Sequence, residues 1–227
     1  IGAAAFGLFG KENSGGHERL HRRAKGQPVF WGGADGFSDI GKRAVLSPRL
    51  REKFRNLDSW NAIEPIRRRF LASTPEPSPL NWMTYLDLQF RIPELLLMRV
   101  DKMSMNHGVE CRVPFLDHEF IRCALGISDE LKTRRGCKSI FKEAMRSVVP
   151  DAIIDRKKQG FGAPIAAWYD GGLGDLHRGA LERFCRETDF LDAAAVKKFP
   201  MKSRSSEYWI LSNFAQWWLT YQKSEFS

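Results

Sequence analysis

A chain of 227 residues, 43% hydrophobic and 28% charged, is long enough to bury one sizeable core or two small ones, which excludes intrinsic disorder and a collagen-type repeat. Its longest apolar runs, such as Leu95-Leu96-Leu97-Met98, fall far short of the roughly 20 residues that a membrane helix needs. Lys and Arg number 36 against 27 Asp and Glu, a formal net charge of +9, so charge alone suggests nucleic acid or phosphate-bearing small molecules as partners.

The opening residues lack the charged start, apolar stretch and small-residue cleavage site of a secretory signal, so a cytoplasmic location and no membrane partner are expected. The chain begins with Ile1 and not Met, and is read as a piece of something longer. Basic residues are scattered as Arg22-Arg23, Arg67-Arg68-Arg69, Arg134-Arg135 and Lys157-Lys158, a pattern that suits solvated surface. The tryptophans stand at core-like helical spacing and do not interleave with those basic residues, which disfavours a basic helical module binding nucleic acid. Cys111, Cys123, Cys137 and Cys185 form no close pair of the kind a zinc or redox motif uses, and are expected as free thiols. His17 and His21 have helical i, i+4 spacing, but in a stretch rich in Gly, Arg and Lys that reads as a surface helix edge.

Residues 1–28 show no sustained apolar period and read as a poorly ordered or linker-like opening segment with at most one short helix. Residues 29–227 are taken as one mainly helical body. Ser47-Pro48 supplies a cap followed by proline at the first helical position, and Leu50, Phe54 and Leu57 recur at helical spacing behind it. A second helix is expected over 60–71, ended by a run from Ser73 to Pro79 in which three prolines forbid regular structure. Separate helices are then expected over 81–90 and 93–107. The latter carries Leu96, Val100 and Met103 as an apolar stripe, with Gly108 as terminator.

Residues 109–115 alternate apolar with charged and run into Pro114, so they read as extended, with Glu110 and Arg112 on one face. Asp117 caps a helix to about Leu125. A helix over 138–148 turns Ile140, Phe141, Ala144 and Val148 inward, and a glycine-interrupted loop over 159–164 has the composition of a mobile segment. Three helices close the chain near 172–187, 192–199 and 206–222, with Trp209, Phe214, Trp217 and Trp218 capping the core. Strand signals are nearly absent, so a mainly α fold is expected.

Two glycine-rich stretches, Ser14-Gly15-Gly16 and Gly32-Gly33-Ala34-Asp35, invite reading as phosphate loops. Neither leaves an apolar strand and enters a helix as such a loop must, and both read as turns. The informative stretch is Asp101-Lys102-Met103-Ser104-Met105, then Val109-Glu110-Cys111-Arg112-Val113-Pro114-Phe115-Leu116-Asp117, then Lys138-Ser139-Ile140-Phe141-Lys142-Glu143-Ala144, then Arg156-Lys157-Lys158-Gln159-Gly160-Phe161 with Pro164 and Trp168 behind it. This ordered succession resembles the synthetase domain of the glutamine-dependent asparagine synthase family, strongly over about 75 residues and weakly to both sides.

The resemblance implies the helical C-terminal portion of an adenine-nucleotide α-hydrolase-like (ATP pyrophosphatase) α/β synthetase domain. The family uses ATP and Mg²⁺ to adenylate a carboxylate, aspartate in the family's namesake, which ammonia derived from glutamine then attacks. Relatives use the domain to close β-lactam rings, cyclise peptides or amidate sugars. Ser14-Gly15-Gly16 lacks the Asp-Ser that completes the family's pyrophosphate loop, and Gly33-Ala34-Asp35 lacks the Glu of its magnesium motif. The implied partners are therefore that loop's half of the domain and an N-terminal glutaminase domain. A homodimer is left open, and the chain alone is expected to be inactive, with no metal site and no tightly bound ATP.

Lys138 matches the family's lysine that faces the phosphates, where an ammonium stabilises the charge of departing pyrophosphate. The bland alternative is a solvated lysine at a helix N-terminus, where its charge opposes the macrodipole. Asp101, Glu110 and Arg112 match charged positions of the central motif. They face the substrate side, or, for Glu110 and Arg112, hold the extended segment through buried ion pairs. Lys158, Gly160 and Phe161 belong to a loop that closes over the nucleotide or to a plain basic surface loop.

Overall fold

The computed structural model describes residues 15–32, 36–157, 159–160, 163–198 and 206–222. Among these, regular structure is helical throughout, and the one strand-like feature is an isolated antiparallel bridge between Leu46 and Leu191. The chain divides into two compact units. One comprises 1–29, 35–62 and 162–227, and the other 30–34 and 63–161.

The first unit gathers around Phe184, which is fully buried in the Gly174–Glu187 helix. Leu181 of the same helix joins Val45, Leu191, Tyr208, Leu211 and Ala215 in the core. Phe184 meets the rings of Phe190 and Phe214 edge-on at 5.9 and 5.3 Å, a geometry that places positive ring edges on negative faces. The bridge fixes the Asp39–Val45 helix to this core through bonds from Ser47 N to Phe190 O (3.0 Å) and from Asp192 N to Val45 O (2.9 Å).

That helix has no counterpart among the sequence-based expectations. Ser38 caps it by accepting from Gly41 N at 2.9 Å, and Asp39 in its first turn accepts from Ser59 and Lys42. Burial pushes the Asp39 carboxyl up, but the bonds from Lys42 and Ser59 outweigh it and hold the group below its ordinary range. The Ser47 cap is present, accepting from Leu50 N at 3.3 Å, but the Pro48–Lys53 helix ends before Phe54. Phe54 and Leu57 are exposed.

In the opening segment, Gly15–Ala24 is helical, with a buried Arg22–Glu18 pair at 3.4 Å. The turn expected at Ser14-Gly15-Gly16 is therefore helix from Gly15 onward. Ser14, and Gly33-Ala34-Asp35, lie outside the described residues. In the Ser206–Trp217 helix the inward face is Tyr208, Leu211, Ser212 and Ala215. Of the aromatics expected to cap the core, Phe214 covers Phe184 while remaining 38% exposed, Trp209 lies against Tyr169 and His177, and Trp217 is 46% exposed and stacks on Phe214. Trp218 does pack against the core.

The second unit is built on the Trp60–Ser73 helix from Ile63 onward and on a long helical run beginning with Pro79–Leu86. Phe70 packs against Trp82 and Tyr85 at 5.5 and 5.3 Å, and the Arg67 guanidinium lies over both Phe70 and Trp82. Trp82 Nε1 donates to Phe30 O at 2.8 Å, tying Phe30 to this helix pair.

The expected break between 90 and 93 is absent. Pro79–Leu86 continues through a π-helical stretch, Asp87–Leu97, into the Met98–Met105 helix. Pro93 sits inside the wide-turn stretch; the i→i+5 register relieves the clash of the ring with the preceding turn that would break an ordinary helix. Gly108, at φ +67°, ends the run as expected, with Val109 N bonded to Ser104 O. The apolar stripe behind it is not inward: Leu96, Val100 and Met103 are 47%, 45% and 73% exposed. Asp117 caps the His118–Gly126 helix through Glu119 N and Phe120 N. Short helices at Asp129–Thr133 and Asp151–Ile154 complete the unit.

Candidate functional site

All four motif blocks begin in the second unit. Asp101 lies exposed on the Met98–Met105 helix. Glu110 and Arg112 do share one side of the extended segment and pair with each other, Oε1 to guanidinium at 3.0 Å, but their side chains are 68% and 83% exposed. This corrects the expectation of buried ion pairs: the segment has no covering layer that would desolvate them. An exposed pair of this kind contributes little to stability.

Pro114–Leu116 forms a single 3₁₀ turn that delivers Phe115 edge-on against Phe120 and Phe141, both at 5.4 Å. The helix expected over 138–148 is shorter, Ser139–Met145, and Lys138 stands just outside it as its N-cap. Lys138 has φ +62°, ψ +24°, the left-handed conformation, and among the described residues it is the one non-glycine with positive φ. Its side chain makes no cap bond.

The backbone nevertheless fixes it, since Lys142 N donates to Lys138 O at 2.9 Å, and Arg135 ties the preceding turn to Glu143 at 2.8 Å. A β-carbon in this region is strained by about 1 kcal/mol or more, so the turn holds Lys138 against its own preference. Of the face expected to point inward, Ile140, Phe141 and Ala144 line a cavity while Val148 is 71% exposed.

That cavity, about 690 Å³, lies wholly within the second unit and is walled by Phe115, Phe120 and Phe141, with Lys132 and Lys138 as the charged groups among its described lining residues. Lys132 reaches Asn81 Oδ1 and Leu125 O only at 3.5 Å. Nothing in the sequence pattern marked Lys132, because its Asp129–Thr133 helix is a five-residue element too short to show a period. Among the described residues Lys138 forms no ion pair or hydrogen bond through its side chain with Asp101, Glu110 or Arg112, so the structure brings Lys138 to the cavity and leaves the other three as separate surface groups.

Lys158 and Phe161 lie outside the described residues, and Gly160 is exposed. The approach to that loop is anchored by Arg146, which donates to Asp151 at 2.7 Å and to both oxygens of Asp155 at 2.9 Å. The guanidinium holds the Asp155 carboxyl below its usual range. The cysteines are unpaired thiols, Cys111, Cys123 and Cys137 exposed and Cys185 half-buried. Among the described residues no cluster of three or more His, Cys, Asp or Glu is placed to hold a metal ion, and no helix is long and apolar enough to cross a membrane.

The module thus carries the four blocks in order and sets Lys138, held in the left-handed conformation, on the lining of a cavity. A family model described as asparagine synthase matches residues 10–220, and the chain belongs to that family. It is similar to asparagine synthetase [glutamine-hydrolyzing] 1 of Bacillus subtilis, 32% identical over 147 residues that cover 63% of this chain and 23% of the relative. A putative asparagine synthetase [glutamine-hydrolyzing] of Mycobacterium bovis is 29% identical over 71% of this chain and 24% of its own length. Amidase chry2 of Gibberella zeae is 28% identical over 42% of this chain. The chain thus spans about a quarter of the length of the first two of these curated relatives. No solved structure matches it.

Proposed function

We propose that the chain is the helical C-terminal part of an ATP-dependent amidotransferase that adenylates the side-chain carboxylate of aspartate and amidates it with glutamine-derived ammonia to give asparagine. The parent domain in this reading has the adenine-nucleotide α-hydrolase-like fold, and the chain alone is inactive. The observation that carries the reading is Lys138: the motif resemblance implies a phosphate-facing lysine here, and the turn holds its backbone in a fixed, unfavourable conformation with the ammonium unengaged by any carboxylate among the described residues.

In this reaction the substrate carboxylate attacks the α-phosphorus of ATP and pyrophosphate leaves; ammonia then attacks the acyl carbon and AMP leaves. ATP supplies the activating adenylyl group. Lys138 binds the departing pyrophosphate and stabilises the negative charge that builds on it, a preorganised interaction worth about 3 kcal/mol. Among the described residues no cluster of His, Cys, Asp or Glu is placed to hold a magnesium ion. The exposed apolar side chains of the second unit, Val100, Met103, Val109 and Val113 among them, support a longer polypeptide whose pyrophosphate-loop half and glutaminase domain cover part of this surface.

The test uses a polypeptide in which this chain is joined to those regions. Lys138→Ala is expected to lower aspartate-dependent ATP–pyrophosphate exchange by two orders of magnitude or more while glutaminase activity persists. Unchanged exchange would remove Lys138 from the reaction.

A further inference from the structure

The cavity beside Lys138 has a chemistry that aspartate does not use. Three phenyl rings meet at its wall in edge-on contacts, and the charges among its described lining residues are two ammonium groups, Lys132 and Lys138. Its volume of about 690 Å³ falls in the range of small-molecule sites, which are apolar over most of their surface with a few polar groups that set orientation.

Aspartate carries one ammonium and two carboxylates and no apolar body; beside these rings and two lysines its ammonium would lose water without a partner and meet charges of its own sign. The complementary ligand has an apolar body for the rings and one terminal anion for the lysines. Phe115, Phe120 and Phe141 are 58%, 42% and 38% exposed, so each has apolar surface that a ligand can still remove from water. Lys132 contacts only neutral oxygens at the long limit of hydrogen bonding, which leaves its charge available to an anion.

We propose that this cavity is a binding site for an amphiphilic monocarboxylate: an aryl or alkyl body seated on Phe115, Phe120 and Phe141, with its carboxylate held between Lys132 and Lys138. The site is additional to the aspartate and ATP of the reaction. A ligand seated there also occupies the ammonium assigned above to pyrophosphate and so inhibits adenylation. That consequence rests on the proposed reaction, whereas the binding does not.

The experiment is calorimetric or NMR titration of the 227-residue chain at low ionic strength with three probes: 4-phenylbutyrate, its neutral amide 4-phenylbutyramide, and L-aspartate. The carboxylate is expected to bind at least fivefold more tightly than the amide, and aspartate more weakly than either. Lys132→Met with Lys138→Met should abolish the preference for the acid and leave amide affinity within twofold, and Phe120→Ala should weaken acid and amide alike. Equal affinity for acid and amide, tighter binding of aspartate, or no binding of either aryl probe would each overturn the proposal; the last would show that the rings await protein side chains. The probe series needs no variant, so a variant that fails to fold leaves the test intact. Failure of the pyrophosphate role would show in the exchange assay and would not alter these affinities.

Discussion

Lys138 carries two separable demands, one from the backbone and one from the side chain. The left-handed conformation penalises any residue with a β-carbon by about 1 kcal/mol or more, and glycine relieves this while raising the entropy of the unfolded chain, which offsets part of the gain. Lys138→Gly is therefore expected to stabilise the chain by up to about 1 kcal/mol in urea denaturation, and Lys138→Ala to change it by less than about 0.5 kcal/mol. A loss of more than about 1 kcal/mol in the glycine variant would mean that the side chain is a structural tie and not a reserved cation. The family motif made Lys138 legible in the sequence, but its conformation was not, since lysine carries no signal for positive φ. Glu110 and Arg112 were legible as a pair on one face; their exposure was not, because burial depends on what covers a segment.

Caps and terminators are short-range devices, and those at Ser47, Asp117 and Gly108 follow from the residues themselves. Pro93 shows where such local reading fails. Its ring and missing N–H would cost an ordinary helix about 3 kcal/mol, which argues for a break, but the wide-turn register accommodates the ring and the run continues. Pro93→Ala is then expected to change stability by less than about 1 kcal/mol, since the wide turn has already removed the clash that proline imposes on a regular helix. Circular dichroism should show no more than a slight gain in helical signal. Stabilisation of about 3 kcal/mol would mean that Pro93 strains the run from 79 to 105. The tail helix teaches the converse: the periodicity was correct, but the innermost positions belong to Tyr208, Leu211, Ser212 and Ala215, with Phe214 and Trp218 packed against Phe184 while partly exposed.

Burial is uneven across the molecule. The mainly helical class and the three closing helices were legible from hydrophobic period and the scarcity of strand signals. The division into two units was not, because it depends on which apolar faces find partners. In the first unit the faces close on Phe184, and at the margin of that core lies His177, 5% exposed. Its Nδ1 is 2.8 Å from the Tyr169 hydroxyl, which donates to it when the imidazole is neutral, and its ring lies 5.5 Å from that of Trp209. Burial pushes the His177 pKa down from its ordinary value. The unfolded chain therefore takes up a proton near pH 6.5 that the folded chain refuses. Stability from this group is complete above that pH and is lost as pH falls toward the depressed folded value. The lowered carboxyls of Asp39, Asp155 and Asp189 lose their contribution only near and below the ordinary aspartate range, about pH 4, so the two windows separate. The melting temperature of the first unit, followed by tryptophan fluorescence, is expected to fall between pH 7 and pH 5. His177→Gln should flatten that slope while lowering stability at pH 7 through the lost Tyr169 contact. A melting temperature unchanged over this interval in the unmodified chain would show that His177 accepts its proton in the folded state as readily as in the unfolded one.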